Sequence, residues 1–407
     1  MAVTRSQTSN RGASIDNPQK KKKKKAQETK PKPKPKATSG RRFNKKNGKI
    51  VCNGRQAIPT QPYAGLPKRR FPPVDSPISK GLFNTRNDCY KLATLQVLFH
   101  TPAFYRYLGK IHRNCALQLK ECVTCALQDL LYQYWQQDDN ETRRARLNTF
   151  HASTKAEKNL PEDLDDLRDD LLGDRQGDAY DFLLYLVNQQ ISSKTRGSDP
   201  ASFRSIFQMG FETTRTCLTC RHESAAEFEQ PSFILELPVN NPTGARSRSL
   251  HDCLGDFLGD GTQTYTCDQK DCSGTQRRTA TLLTHASEIL VMKLAISTNP
   301  GIGQVNTKIF ATHTEIVYPE ILNLNQYVDH NQVSEDCVYR LDGVIAHSGP
   351  ETSGGHYVAM VRQYNSQRDF AFINDDSVTT DLNWGTMLRP TIGGRRIESY
   401  ILVYTKM

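Results

Sequence analysis

Apolar and polar positions separate an aperiodic first part of the chain from a long part with regular spacing. Between residues 89 and 99 apolar residues recur on nearly every side of a helix, which predicts a buried helix ended by Pro102. A second apolar helix is predicted after Asp178, with a buried stripe of Phe182, Leu183, Leu186 and Val187. From residue 289 onward the apolar runs have the spacing of strands. The pattern therefore predicts buried helices followed by a sheet.

The first part, residues 1–75, is predicted to be a disordered basic tail. Its run of six lysines at residues 20–25 and its Lys-Pro alternation at residues 30–36 cannot build a core. Residues 1–50 hold 17 Lys and Arg against 2 Asp and Glu, a balance of +15, whereas the whole chain carries +11. The rest of the chain is therefore net −4, and the basic character belongs to the tail.

A compact lysine run is typical of a nuclear address with some nucleic-acid affinity, although a solvated tail without a specific role has the same composition. We expect the nucleus, with the cytoplasm as a second location. No apolar signal segment and no apolar run of membrane-spanning length is visible, so no membrane partner is expected. In a reducing compartment the eleven cysteines indicate metal binding or catalysis rather than disulfides.

One group of ligand-type residues follows the first helix. His112, Cys115, Cys122 and Cys125 have zinc-ligand spacing. Thiols packed at the start of the next predicted helix would give the same pattern, and both interpretations stay open.

Two distant segments carry the residue types of a cysteine nucleophile and its base. Cys89 begins the first helix, where unpaired N–H groups and the helix dipole favour thiolate, although most single cysteines are simply buried thiols. His356 follows a Gly pair on a predicted strand, and the next strand ends in Asn374 and Asp375. A hairpin of these strands would place His356 beside Asn374 or Asp375, as a base with its orienting group.

The stretch GLFNTRNDCYKLATLQVL at residues 81–98 resembles the cysteine box of the ubiquitin-specific proteases, GLxNxGNTCYxNAxLQxL. Arg86, Asp88 and Leu92 depart from it, where Gly, Thr and Asn are usual. GHYVAMVR from residue 355 resembles the family's histidine box, QGDAYDFL from residue 176 its QQDAHEFL segment, and SYILVY its closing strand. The resemblance covers residues 80–405 in the family's order.

The resemblance implies an α+β fold of the papain-like, ubiquitin-specific protease type over residues 76–407, with a helical thumb, a β-sheet palm and β fingers. The fingers would span about residues 203–296. Two cysteine pairs there resemble the family's zinc ribbon, in which four thiolates hold a structural zinc: Cys217, Cys220, Cys267 and Cys272. Catalysis in this family needs no cofactor.

The resemblance also implies the roles of individual residues in hydrolysis after the C-terminal Gly of ubiquitin. Cys89 would be the nucleophile, His356 the base, and Asn374 its orienting group with Asp375 as helper. Asn84 would contribute to the oxyanion hole. Asp178 would bind the arginine-containing tail of ubiquitin. The implied partners are ubiquitin and ubiquitinated proteins.

Two other functions remain open from the sequence. A carboxylate at Asp88, adjacent to the nucleophile, disfavours thiolate, which is compatible with an inactive ubiquitin-binding protein. A zinc-bearing nucleic-acid-binding protein would explain the tail and the thiols, but not the set of Cys89, His356 and Asn374.

Overall fold

The computed structural model describes residues 45–46, 49–50, 79–111, 121–136, 139–156, 176–192, 206–227, 232–239, 247–296, 315–351, 354–363, 370–389 and 391–407. The chain forms two compact units, Met1–Cys52 and Asn53–Met407. In the first unit, β1 (Lys45–Lys46) and β2 (Lys49–Ile50) pair antiparallel. The predicted disorder of residues 1–75 otherwise concerns residues outside these ranges.

Helices dominate the first half of the second unit. They are α1 (Cys89–Phe99), α2 (Pro102–Ile111), α3 (Val123–Gln136), α4 (Asn140–Ala156) and α5 (Ala179–Ser192), followed later by α6 (Leu250–Leu258) and α7 (Trp384–Leu388). Every residue of α1 is buried, as its sequence predicts. Pro102 does not itself end α1: the C-cap is His100, and Pro102 begins α2, at the first helical position that proline favours.

Strands form one large sheet in the second half. Its path runs through β15 (Ser377–Leu382), β14 (Phe370–Asn374), β13 (Gly354–Arg362), β12 (Val338–Glu351), β18 (Glu398–Lys406), β9 (Ile289–Ala295) and β5 (Leu235–Pro238). An eighth strand, β11 (Ile321–Asn323), pairs with β12. Only the β5–β9 pair among these described strands is parallel. The predicted β13–β14 hairpin is confirmed, with Ala359 opposite Ile373.

A separate antiparallel sheet has the order β4 (Glu223–Glu227), β3 (Gly210–Cys217), β8 (Gln276–His285), β7 (Asp260–Thr264). It lies within the range expected for the fingers, although β5 and β9 from that range belong to the large sheet. Smaller pairs are β6 (Ser247–Ser249) with β10 (Glu315–Val317), and β16 (Thr391–Ile392) with β17 (Arg395–Arg396).

The large sheet positions α1. The helix packs on β12 and β13 and against α5. At Gly343 of β12 an added Cβ would lie 2.7 Å from a methyl of Val97, so the glycine lets helix and strand approach closely. On the other side, the rings of Tyr90 and Phe182 meet edge to face at 6.0 Å. Among the described residues no helix has the length and apolarity needed to cross a membrane.

Candidate active site

Cys89 is the first residue of α1 and is 3% exposed. The first N–H groups of a helix lack intrahelical partners and carry its positive dipole end. Asp88 is the N-cap residue, but its side chain makes no capping hydrogen bond. Its carboxylate pairs instead with Lys91 Nζ at 2.8 Å, because a charged donor binds it more strongly than a backbone N–H does. The helix begins at Cys89 as predicted, and the Asp88 side chain does not cap it.

His356 lies between Cys89 and Asn374. Its Nε2 is 2.6 Å from Asn374 Oδ1, an arrangement in which the ring N–H donates to the amide oxygen. The hydrogen bond with Cys89 is the main cause that raises the pKa of His356 to about 9; burial opposes the rise and Asn374 supports it. A thiol beside a readily protonated imidazole can form a thiolate–imidazolium pair, the reactive form of a cysteine nucleophile.

Asp375 contacts Asn84 rather than the imidazole. Asn84 Nδ2 donates to Asp375 Oδ2 at 3.1 Å, and Asn84 Oδ1 accepts the backbone N–H of Asp88 at 3.2 Å. The Leu82 N–H donates to the Asp375 carbonyl at 2.9 Å, and an added Cβ at Gly81 would lie 2.3 Å from the backbone of Asp376. The segment before α1 is thereby fastened to the turn that follows β14.

Gln176 is a site residue that sequence reasoning did not single out. Its Nε2 is 3.6 Å from Cys89 Sγ and also donates to the Gly355 carbonyl. The Gly355 N–H donates to Gln176 Oε1 at 3.3 Å. The side-chain amide therefore bridges the nucleophile and the loop before His356. The signal for it in the sequence is its place at the start of the segment that resembles QQDAHEFL.

Asp178 precedes α5 and is its N-cap. Its Oδ1 accepts the Tyr180 N–H at 2.8 Å, and its Oδ2 accepts the Tyr400 hydroxyl at 2.9 Å. The carboxylate is partly exposed. It lies on the chain segment that places Gln176 against Cys89, so its position is compatible with both the cap role and the binding role.

Four thiols meet where β3 turns into β4 and where β7 leads to β8. The Sγ atoms of Cys217, Cys220, Cys267 and Cys272 all lie within 4.8 Å of one another. The Cys217–Cys272 and Cys220–Cys267 separations are 3.8 and 3.7 Å, which match the spacing of about 3.8 Å on the edges of a Zn–S tetrahedron. The set fits a structural zinc.

The other predicted metal group is only partly described. His112 and Cys115 lie outside the described residues. Cys122 and Cys125 lie at the start of α3, where the Cys125 N–H donates to Cys122 Sγ at 3.5 Å. This second site therefore stays a prediction.

Comparison with known proteins decides the family. The family profile described as ubiquitin carboxyl-terminal hydrolase matches residues 80–404, about four fifths of the chain. The chain belongs to the ubiquitin carboxyl-terminal hydrolase family. The family, the fold class and the reaction class predicted from the motifs are thus confirmed: a cysteine-type hydrolase that removes ubiquitin from proteins.

Named relatives of this hydrolase are distant. The probable ubiquitin carboxyl-terminal hydrolase 8 of Schizosaccharomyces pombe is 24% identical over 371 residues, covering 89% of this chain and 74% of that protein. Ubiquitin carboxyl-terminal hydrolase 25 of Arabidopsis thaliana is 25% identical over 313 residues, covering 72% of this chain and 43% of that protein. The chain thus spans three quarters of one relative and less than half of the other.

Solved structures show the same fold. A SAGA DUB module containing Ubp8 and bound to monoubiquitin aligns with a TM-score of 0.63 at 21% identity, over 81% of this hydrolase and 69% of that chain. The same module bound to ubiquitin aldehyde aligns with a TM-score of 0.63 at 22% identity.

Proposed function

We propose that Cys89, His356 and Asn374 carry out the deubiquitination reaction. The supporting observation is the position of His356, in hydrogen-bond contact with both Cys89 and Asn374. The Cys89 thiolate attacks the carbonyl carbon of the last glycine of ubiquitin. Imidazolium gives its proton to the leaving lysine amine, and a thioester remains. His356 then takes a proton from water as the water oxygen attacks the thioester. The tetrahedral intermediate expels the Cys89 thiolate and releases the C-terminal carboxyl group of ubiquitin, which restores the thiolate–imidazolium pair.

Asn84 and the Cys89 N–H are proposed to stabilise the oxyanion of each tetrahedral intermediate. An amide nitrogen has two N–H donors, and one of Asn84's goes to Asp375. Asp375 therefore acts on the reaction by orienting Asn84. Burial raises the pKa of the Asp375 carboxyl, and the hydrogen bond from Asn84 opposes this rise.

The cleft beside Cys89 is proposed to receive the extended tail of ubiquitin. Gly355 has φ +131°, and an added Cβ there would lie 2.2 Å from the Ser348 carbonyl, so only glycine fits this loop. Asp178 would accept bonds from an arginine of the tail, since a carboxylate can pair with a guanidinium in two-point fashion. Gln176 occupies part of this cleft and would exchange its bonds to Gly355 for bonds to the tail.

A ubiquitin carrying a C-terminal electrophile tests the proposal. The wild-type protein should form a covalent adduct on Cys89, and Cys89→Ala should form none while still binding ubiquitin. An unreactive wild type that binds ubiquitin would favour the inactive ubiquitin-binding protein considered above. The Asp88 carboxylate, which is compatible with that alternative, has its charge offset by Lys91.

The basic tail is proposed to direct the hydrolase to the nucleus and to permit contact with nucleic acid. The proposed substrates are ubiquitinated proteins. Support comes from the lysine run at residues 20–25 and from the +15 balance of residues 1–50. If the full chain binds DNA in a salt-dependent way and the chain without its tail does not, the proposed role of the tail is supported. Binding that persists without the tail would favour a nucleic-acid role for the folded part.

A further inference from the structure

A buried ion pair is formed by the residues on either side of Cys89 in the first turn of α1. Asp88 is 4% exposed and Lys91 is 2% exposed, and Nζ and Oδ1 are 2.8 Å apart. The two residues flank Cys89 on the first turn of α1. We propose that Lys91 is a positioning residue, which neutralises Asp88 so that Cys89 can react as a thiolate. This inference rests on the proposed function of Cys89.

Burial sets this pair apart from an ordinary surface ion pair. Lysine is rarely buried unless it is paired, and a buried pair gives little net stability compared with apolar residues of similar size. The Asp88 side chain also makes no capping hydrogen bond, and only its backbone carbonyl serves the first turn, by accepting the Leu92 N–H at 3.0 Å. A stabilising role therefore explains the pair poorly, while its place beside Cys89 gives it an electrostatic one.

Among the described residues, Lys91 is the positively charged group closest to the Asp88 carboxylate. From α4, His151 Nε2 lies 4.0 Å from Asp88 Oδ2, but burial, as the largest cause, lowers the pKa of His151 to about 4, against the charge of Asp88, which raises it. His151 is therefore neutral near pH 7. Arg86 and Lys155 also act on His151 and lower its pKa further.

Asp88 is also joined to the proposed oxyanion hole. Its backbone N–H donates to Asn84 Oδ1, and Asn84 is held in turn by Asp375. An unpaired carboxylate at Asp88 would move toward water, and its backbone would carry Asn84 with it. The pair thus maintains both the charge at the thiol and the position of a catalytic amide.

Three variants test the proposal through the pH profile of kcat/KM on a ubiquitin C-terminal amide. Lys91→Met leaves an unpaired carboxylate beside the thiol, so the acid limb should move to higher pH. Activity at pH 7 should then fall roughly tenfold, with recovery toward pH 9. Asp88→Asn should move the acid limb to lower pH. The double variant Asp88→Asn with Lys91→Met should return it near the wild-type position.

Lys406→Met is the matched control. Lys406 is also a mostly buried lysine in an ion pair, 2.8 Å from Glu335. It lies opposite Tyr339, whereas His356 lies opposite Ser348, nine positions further along β12. This is about 30 Å at the rise of a strand, so Lys406→Met should keep the wild-type pH profile. Parallel losses at every pH in Lys91→Met, without the opposite shift in Asp88→Asn, would show a structural role and overturn the inference.

Alkylation of Cys89 by iodoacetamide, followed by mass spectrometry of the full chain, separates this inference from the proposed function. At pH 7 the rate should be highest in Asp88→Asn, intermediate in the wild type and lowest in Lys91→Met. A wild type that does not hydrolyse ubiquitin amides but shows this order would refute the proposed function alone. Equal alkylation rates in the three proteins would refute the role of Lys91 alone.

Discussion

At the scale of single residues, two neighbours at the end of β14 could have held the imidazole. Asn374 does so, while Asp375 turns away at φ +53° and holds Asn84. The strand pattern predicted the hairpin but left both candidates open, because the direction of each side chain depends on a backbone turn that alternation along a strand does not specify. The family resemblance gave Asn374 as the orienting group, with Asp375 as helper. Gln176 was missed although it begins a segment that the family resemblance covers, because its contacts with Cys89 and Gly355 exist only in the folded chain.

Asn374→Ala should change the pH dependence of the reaction. His356 has its pKa raised to about 9, because its hydrogen bonds to Cys89 and Asn374 both favour the protonated ring. Activity that needs imidazolium should therefore fall as the pH rises through about 9. Losing Asn374 removes one raising contribution, so the alkaline limb of kcat should move to lower pH, and kcat should fall roughly 100-fold. A variant with an unchanged alkaline limb would contradict this account.

Two variants of Asp178 separate its role as the N-cap of α5 from its proposed role in binding the ubiquitin tail. Asp178→Asn keeps a good N-cap for the Tyr180 N–H but loses the charge. Its thermal stability should stay near that of the wild type, while KM for ubiquitin substrates should rise by the equivalent of roughly 1.5–3 kcal/mol. Asp178→Ala should show the same rise in KM and also lose roughly 1 kcal/mol of stability. A wild-type KM in Asp178→Asn would show that Asp178 serves only as the N-cap of α5.

At the scale of elements, long periodic segments were predictable and their junctions were not. The buried α1, the stripe of α5 and the β13–β14 hairpin follow from apolar spacing. The ends of elements depend on contacts instead, as at Pro102, and β5 joins the large sheet through a parallel pairing with β9 that no local pattern indicates.

Gly81→Ala should show how closely the segment before α1 fits against the turn after β14. The added Cβ would meet the Asp376 backbone at 2.3 Å, so the turn after β14 must shift away from the segment before α1. We expect a fall in kcat and a loss of roughly 1–3 kcal/mol in the free energy of unfolding. Gly261→Ala in β7 is the control, because nothing lies within 4 Å of its added Cβ. Equal behaviour of the two variants would argue against the close fit.

The four-stranded sheet should depend on its thiol cluster. Metal analysis of the purified protein is expected to find zinc that is lost in Cys220→Ser, together with a lower unfolding temperature. Cys253→Ala removes a buried thiol outside the cluster and should retain that zinc. A metal-free preparation that stays folded and active would contradict the assignment.

At the scale of the whole molecule, charge divides the chain into a basic tail and a slightly acidic remainder. Removing residues 1–50 should redistribute the protein from the nucleus, because the lysine run goes with them. Hydrolysis of a ubiquitin amide by the truncated protein should match that of the full chain, since the family match begins at residue 80. Identical localisation of the two forms would refute the nuclear address.

The place of β18 in the sheet has a consequence for biosynthesis. This strand comes last in the chain, yet it lies inside the sheet, between β12 and β9. During translation the helix with Cys89 and the strand with His356 leave the ribosome earlier, while the sheet beneath them still lacks an inner member. Because the sheet that carries His356 lacks an inner strand until then, we expect proteolytic activity to begin only once residues 398–406 have been synthesised and inserted.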